Sequence, residues 1–274
     1  MKNNDKLGAL LALMGVIAGL LSMYFLADTY NAVIHTHFNA GDWEESNTVR
    51  FVYALLGWLG VAAGAISVAV VWGFLKHQGW AWFWGAVSAT ILLLSGFFPM
   101  IPAADSGLPT PTLWVFFLGA IIWFGMLLIG GVPGKLIGLT FLAGLAYVLT
   151  FIDGVAPISK FQGTFQFPGA FSPNADTFWN GFYVISQQVN WWGSAAWAIF
   201  IFGVLAKKSW SIPVGIFAAS MSMFAGYPLG IHNVTEVGRF SLFLPAPIMS
   251  TIMLFILLLP GTQKILNHWI HENS

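Results

Sequence analysis

Apolar residues fall into eight long blocks, at 7–27, 51–75, 80–101, 112–131, 136–152, 189–206, 210–231 and 242–259, separated by clusters of charged and turn-forming residues. An α-helix needs about 17–25 such residues to cross roughly 30 Å of hydrocarbon. Ten-residue segments with a period of two, which a barrel would require, are absent. Helices alone satisfy every backbone polar group within one segment. The pattern therefore predicts an all-α polytopic membrane protein with eight transmembrane helices. The first block follows Lys2 and Lys6 as the core of a signal peptide would. It is too long for one and no small-x-small site follows it, so it is expected to be a retained helix.

Composition supports the same reading. Hydrophobic residues make up 58% of the chain and charged residues 7%, where a soluble domain carries about 25% charged residues. So few charges suffice only if most of the surface faces lipid. There is no cysteine, which excludes disulfides, thiolate metal sites, iron–sulfur ligation and c-type haem.

The charges also predict an orientation. With the N-terminus cytoplasmic, Lys2, Lys6, Lys76, Lys135, Lys207, Lys208 and Lys264 face inward, and Arg50, Lys160 and Arg239 outward. That obeys the positive-inside bias. Eight acids (Asp28, Asp42, Glu44, Glu45, Asp105, Asp153, Asp176 and Glu236) then make the outer face acidic. Both termini are expected in the cytoplasm, here that of a prokaryotic inner membrane. Inner connections are short and pair antiparallel helices, whereas 28–50 and 153–188 read as long outer loops.

Sliding the chain on itself by about 130 residues reveals a recurrence. Leu10, Leu13, Gly15 and Leu20 recur as Leu139, Leu142, Gly144 and Leu149; Trp80, Gly85, Ala89, Gly96 and Ile101 recur as Trp210, Gly215, Ala219, Gly226 and Ile231. The last block of each half aligns less well. Pro109/Pro111 against Pro245/Pro247 needs a shift of 136, and Pro133-Gly134 against Pro260-Gly261 needs 127. The expectation is two tandem four-helix repeats, residues 1–134 with an outer loop at 28–50 and residues 135–274 with an outer loop at 153–188. Gly15/Gly19 and Gly60/Gly64 are spaced for close helix contact, read as packing inside one chain rather than as a dimer seam.

Candidate chemistry is sparse. No Asp, Glu, Lys or Arg lies in the middle third of any block, against a charge-coupled pump, and no His lies where two stacked haems would need one. Asp28, Asp105, Asp153 and Glu236 fall at repeat-related outer helix ends. They would either concentrate cations around an outer mouth or be ordinary solvated loop acids. His35-Thr-His37, with His232 as a third ligand, offers imidazoles for a divalent metal, but both rings share a face only if the segment is extended. His232, Glu236 and Arg239 would line one face of a helix. Gln187, Gln188 and Asn190 enter the sixth block, and Thr90 and Ser220 occupy equivalent positions in the third and seventh; all five are candidates to line a path. Trp191-Trp192 reads as an aromatic belt before it reads as a ligand cage.

The leading expectation is small-molecule or cation transport or permeation through a path opening at an acidic outer face. The alternative is a non-catalytic membrane-anchoring subunit of a respiratory or photosynthetic type of complex, contacting lipid or quinone. A third reading is an outer-face enzyme using His35, His37, His232 and Glu236. No cofactor is expected beyond a divalent metal at the outer face. Expected partners are the lipid bilayer, other membrane subunits or a second copy of the chain, and not nucleic acid.

Overall fold

In the computed structural model the backbone is described for residues 2–41, 43–166, 177–238 and 240–271, with side chains at all of these except 2–3, 43–45, 156–166, 177, 180, 236 and 237. Among the described residues every element is helical: α1 (Lys2–Asn39), α2 (Trp43–Leu75), α3 (Ala81–Phe97), α4 (Met100–Asp105), α5 (Leu113–Ile129), α6 (Gly134–Gln166), α7 (Thr177–Leu205), α8 (Ser211–Val237), α9 (Pro245–Leu258) and α10 (Pro260–His271). Five stretches are long and apolar enough to cross a membrane: Asn4–Asn39, Ser46–Leu75, Ala81–Asp105, Gly134–Val155 and Ser211–Thr235. The pair α9–α10, bent by 73°, makes a sixth if counted as one. Helix α5, at 17 residues, is apolar but shorter. Helix α7 is diluted by amides and tryptophans at its start and is not among the five.

The expected long outer loops are largely helix. Helix α1 runs on to Asn39 and α2 begins at Trp43; α6 runs on to Gln166 and α7 begins at Thr177. Residues 167–176 lie outside the described set. Hydropathy marks where hydrocarbon would end, but the i→i−4 backbone ladder stops only where something breaks it. No proline interrupts 28–39, so the helix continues into its polar stretch.

The chain divides into two compact units, Met1–Pro133 and Gly134–Ser274. In the first, α1 packs along α2 and against α3 and α5, α2 against α3, and α3 against α5. In the second, α6 packs on α7, α7 on α8, α8 on α9, and α9 back on α6. Fully buried side chains such as Leu56, Leu92 and Met126 fill the first unit, and Trp197, Phe200, Leu229 and Leu257 the second. The outward faces are apolar too: Leu7, Leu10, Leu13, Ile17 and Leu20 run exposed along α1. Apolar side chains both inside and outside are what a lipid solvent permits.

Small residues set the α1–α2 contact. A Cβ placed on Gly19 would lie 2.7 Å from the Gly60 carbonyl oxygen and 2.7 Å from Gly64 Cα. Gly19 of the first Gly-x-x-x-Gly pair thus meets both glycines of the second within one chain, while Gly15 faces Ser67. The space admits serines that tie the unit together. Ser95 Oγ donates to Leu56 O at 3.0 Å and Ser22 Oγ sits 2.5 Å from Ser95 Oγ. Ser88 Oγ donates to Ala63 O at 2.7 Å, with Ser67 Oγ at 2.7 Å from it. Because Ser88 and Ser95 spend their protons on carbonyls, Ser67 and Ser22 are the donors within the pairs.

Two turns share a geometry. His77 and Lys207 both take positive φ, 55° and 56°. In the first turn Lys76, His77 and Gln78 donate to Trp72, Phe74 and Gly73; in the second Ala206, Lys207 and Lys208 donate to Phe202, Val204 and Gly203. Trp80 folds over Gly73 and Trp210 over Gly203, where a Cβ would collide with either ring.

Replacing Gly19 with Leu forces α1 and α2 apart and is expected to cost about 1–3 kcal/mol, the usual range for overpacking. Gly144→Leu, at a position with nothing within 4 Å of a new Cβ, should change stability little. Thermal unfolding of both variants in detergent distinguishes them.

Candidate functional site

The four outer carboxylates do not share an environment. Asp28 lies exposed partway along α1, eleven residues before its end, and Asp105 is exposed at the end of α4. Asp153 is buried, with 1% of its surface accessible, on α6. It does not close a helix, as the sequence suggested, because α6 continues for thirteen residues beyond it. The Glu236 side chain lies outside the described residues, as do Asp42, Arg239 and the side chains of Glu44 and Glu45.

The histidines separate in the same way. The segment holding His35 and His37 is helix, so the two side chains point about 200° apart rather than to one face. His35 is exposed; His37 is buried beside α4, its Nε2 3.3 Å from Pro102 O and 2.9 Å from Ser106 Oγ. In the second unit the His232 ring stacks on Trp179 with centroids 3.8 Å apart, and Tyr183 Oη lies 3.5 Å from its Nδ1. Helix α8 ends at Val237 with Gly238 in the left-handed region, and the proposed face of His232, Glu236 and Arg239 involves positions that lie outside the described side chains. Among the described residues no three His, Cys, Asp or Glu side chains are grouped to hold a metal ion.

The path-lining candidates divide as well. Thr90 and Ser220 donate to the carbonyls of Ala86 and Ile216 one turn back, at 2.9 Å each, so both hydroxyls are spent on their own helices. Gln188 is exposed and Gln187 half-buried. Asn190 is fully buried, and neither its Oδ1 nor its Nδ2 has a hydrogen-bond partner. Trp191 and Trp192 do not form a cage. Trp192 is exposed, while Trp191 turns inward, stacks on Phe151 and donates from Nε1 to Gly154 O at 2.6 Å. Gly154 is required there, since a Cβ would strike the Trp191 ring.

That bond places Asp153 and Asn190 at one level of the α6–α7 pair. Ser194 Oγ, donating to Tyr147 O at 3.3 Å, fixes the same register one turn away. Thr150 Oγ1 donates to Ser222 Oγ at 3.1 Å and brings α8 to the same interior. Next to these satisfied groups, Asp153 Oδ2, both polar atoms of Asn190, and Ser186 Oγ one turn along α7 are all buried without a partner. A bare carboxylate in such surroundings costs several kcal/mol, and an unpaired carboxamide about 1–3 kcal/mol. The set can accept and donate hydrogen bonds and can hold a positive charge. The sequence points to Asp153 as an acid at an outer helix end and to Asn190 as a path-lining amide, not to the two as one buried set. It does not point to Ser186, which carries no signal beyond lying four residues before Asn190.

The class these observations define is an all-helical protein whose long apolar helices are compatible with an integral membrane protein. No protein-family model matches the chain, nor does any curated protein or solved structure.

His37→Ala leaves Ser106 and the Pro102 carbonyl without their imidazole and is expected to cost about 1–3 kcal/mol. His35→Ala, at an exposed position, should stay within about 0.5 kcal/mol. Chemical denaturation of the two single variants in detergent measures the difference.

Proposed function

We propose that the chain is a transport or permeation protein of a prokaryotic cytoplasmic membrane that passes a small neutral or cationic solute, and that Asp153, Asn190 and Ser186 form its binding site. The carrying observation is a buried carboxylate with an unpartnered oxygen and a fully buried, unpartnered carboxamide at one level of the α6–α7 pair. Buried ionisable groups inside apolar helices are expensive and are retained where they serve a pathway or a ligand. A solute with N–H or O–H donors, or a cation, supplies what Asp153 lacks, and the carboxamide offers both a donor and an acceptor. Asp28 and Asp105 of the first unit and Glu236 of the second add negative charge to the outer face, which draws cations in.

The reading includes eight crossings in two tandem repeats, with the lysine-bearing ends cytoplasmic. Support comes from the matched turns at His77 and Lys207 and from packing inside each unit. Gly85 meets Met126 and Gly215 meets Leu257; Gly96 meets Phe116 and Gly226 meets Pro247. These contacts align the third and seventh helices at 130 and the last helices at 131, a shift that neither proline match proposed. Asp5 Oδ2 pairs with His77 Nδ1 at 2.6 Å, so the start of α1 lies at the same end of its unit as the α2–α3 turn.

The same alignment, carried along α2 and α7, pairs Tyr53 with Tyr183, Leu56 with Ser186, and Gly60 with Asn190. Where the first unit uses a glycine so that serines can close against each other, the second carries a carboxamide with nothing to bond. The second unit is therefore the working half and the first its sealed counterpart.

Asn190→Leu is expected to raise the melting temperature, because an unpaired polar group is removed from an apolar interior, and to abolish flux. Asp153→Asn should lower flux of cations more than that of neutral solutes. Proteoliposomes challenged with glycerol, urea, methylammonium and potassium, followed by light scattering and tracer uptake, provide the readout. Flux no greater than in empty liposomes for all four probes, or an Asn190→Leu variant with full flux, defeats the proposal.

A further inference from the structure

We infer that the lysine end of the second unit binds an anionic phospholipid, with its phosphate at Lys135, an acyl chain in the groove between α6, α9 and α10, and Lys264 adding positive charge from the exposed face of α10. This inference does not depend on whether the chain transports anything. The groove has a volume of about 320 Å³ and is lined by Leu136, Leu139 and Leu142 of α6, Ile256 of α9, and Thr262 and Ile265 of α10, with Lys135 and Gly138 at its rim. It exists because the chain bends by 73° between α9 and α10.

Helix α10 is built to lie along a membrane surface. Leu266, Trp269 and Ile270 form its buried face, and Trp269 Nε1 donates to Val204 O at 2.8 Å. Lys207 Nζ stands 4.0 Å over the Trp269 ring, fixing the helix to the end of α7. Gln263 Nε2 donates to Leu257 O at 3.3 Å across the bend and helps hold the angle. The opposite face carries Lys264, Asn267, His268 and His271, all exposed. An amphipathic helix with this division of apolar and basic residues belongs at the headgroup boundary.

Charge selects the occupant. Lys135, Lys207, Lys208 and Lys264 gather at this end of the unit, and Glu272 is the one acid within ten residues of any of them in the sequence. Basic pockets between membrane helices on the cytoplasmic side recognise anionic headgroups. The first unit offers an internal comparison. A groove of about 370 Å³ between α1 and α2 is lined by Met23, Leu26, Tyr30, Tyr53 and Trp58 among others, with no cation among its lining residues. Such a surface takes any acyl chain, whereas the groove at Lys135 adds a partner for the phosphate, and the Thr262 hydroxyl adds a hydrogen-bond donor.

The test is native mass spectrometry of the full chain released from detergent containing equal amounts of phosphatidylglycerol and phosphatidylcholine with identical acyl chains. The wild type is expected to retain phosphatidylglycerol preferentially, by about fivefold for each lysine engaged. The Lys135→Ala/Lys264→Ala double variant should bring the two lipids to parity, and Leu139→Trp, which fills the groove, should reduce retention of both. Should the double variant not fold, the wild-type preference must still weaken as salt rises from about 0.05 to 0.5 M, because the contact is electrostatic. Equal retention of the two lipids by the wild type, or an unchanged preference in a folded double variant, overturns the assignment. Displacement of the lipid by inorganic phosphate at millimolar concentration also overturns it, since the site would then be one for free phosphate.

Discussion

Hydrocarbon offers no hydrogen bonds, so each polar group of a chain immersed in it must find its partner in the protein itself. That constraint explains most of the architecture. The backbone satisfies itself in helices that run past the ends of their apolar blocks, as in α1 and α6. Hydroxyls of Thr29, Thr36, Thr90, Ser220 and Thr251 turn back to the carbonyl four residues earlier. Those of Ser22, Ser67, Ser88 and Ser95 bond between helices, which requires the close approach that Gly19, Gly60 and Gly64 allow. With lipid as apolar as the core, burial adds little between helices, and shape and small residues carry the association.

Departures from that rule are therefore informative, and they are graded by cost. A lone buried hydroxyl, as at Ser46, Thr112, Ser211 or Ser250, is a modest loss. A carboxylate and a carboxamide left open at one level of a helix pair are a larger one. Asp153 and Asn190 concentrate that loss in the second unit, whereas the interior of the first carries close-set glycines and paired serines. Stability given up locally in an otherwise satisfied bundle is the usual mark of a site kept ready for a ligand.

The basic end of the second unit obeys a different constraint, set by the membrane surface rather than by the bilayer interior. Helix α10 covers apolar side chains with one face and presents Lys264 and two histidines with the other, while Lys207 is held over Trp269. Long basic side chains at such a boundary bury their methylene stems and extend their charge to the headgroups. The inferred lipid site thus combines the two environments that meet at the bend after α9.

The pattern of apolar blocks determined on its own that the chain is helical and roughly where its apolar helices lie, though not α10 or the helical ends of α1 and α6, because hydropathy and helix length are sums over neighbours in the chain. The glycine spacings also announced close helix packing inside the chain, though not that Gly19 would meet Gly60 and Gly64. Other features are non-local and stayed hidden. Hydropathy ended the fifth block beside Asp153, yet whether that carboxyl faces water depends on what α7 places against it. His35 and His37 looked like a ligand pair only while the segment's conformation was open; the helical register turned one outward and one toward Ser106. Residue identity thus decided which solvent each segment meets. Tertiary packing decided which polar atoms go unpartnered, because a hydrogen bond needs an atom from a distant part of the chain at the right distance and angle.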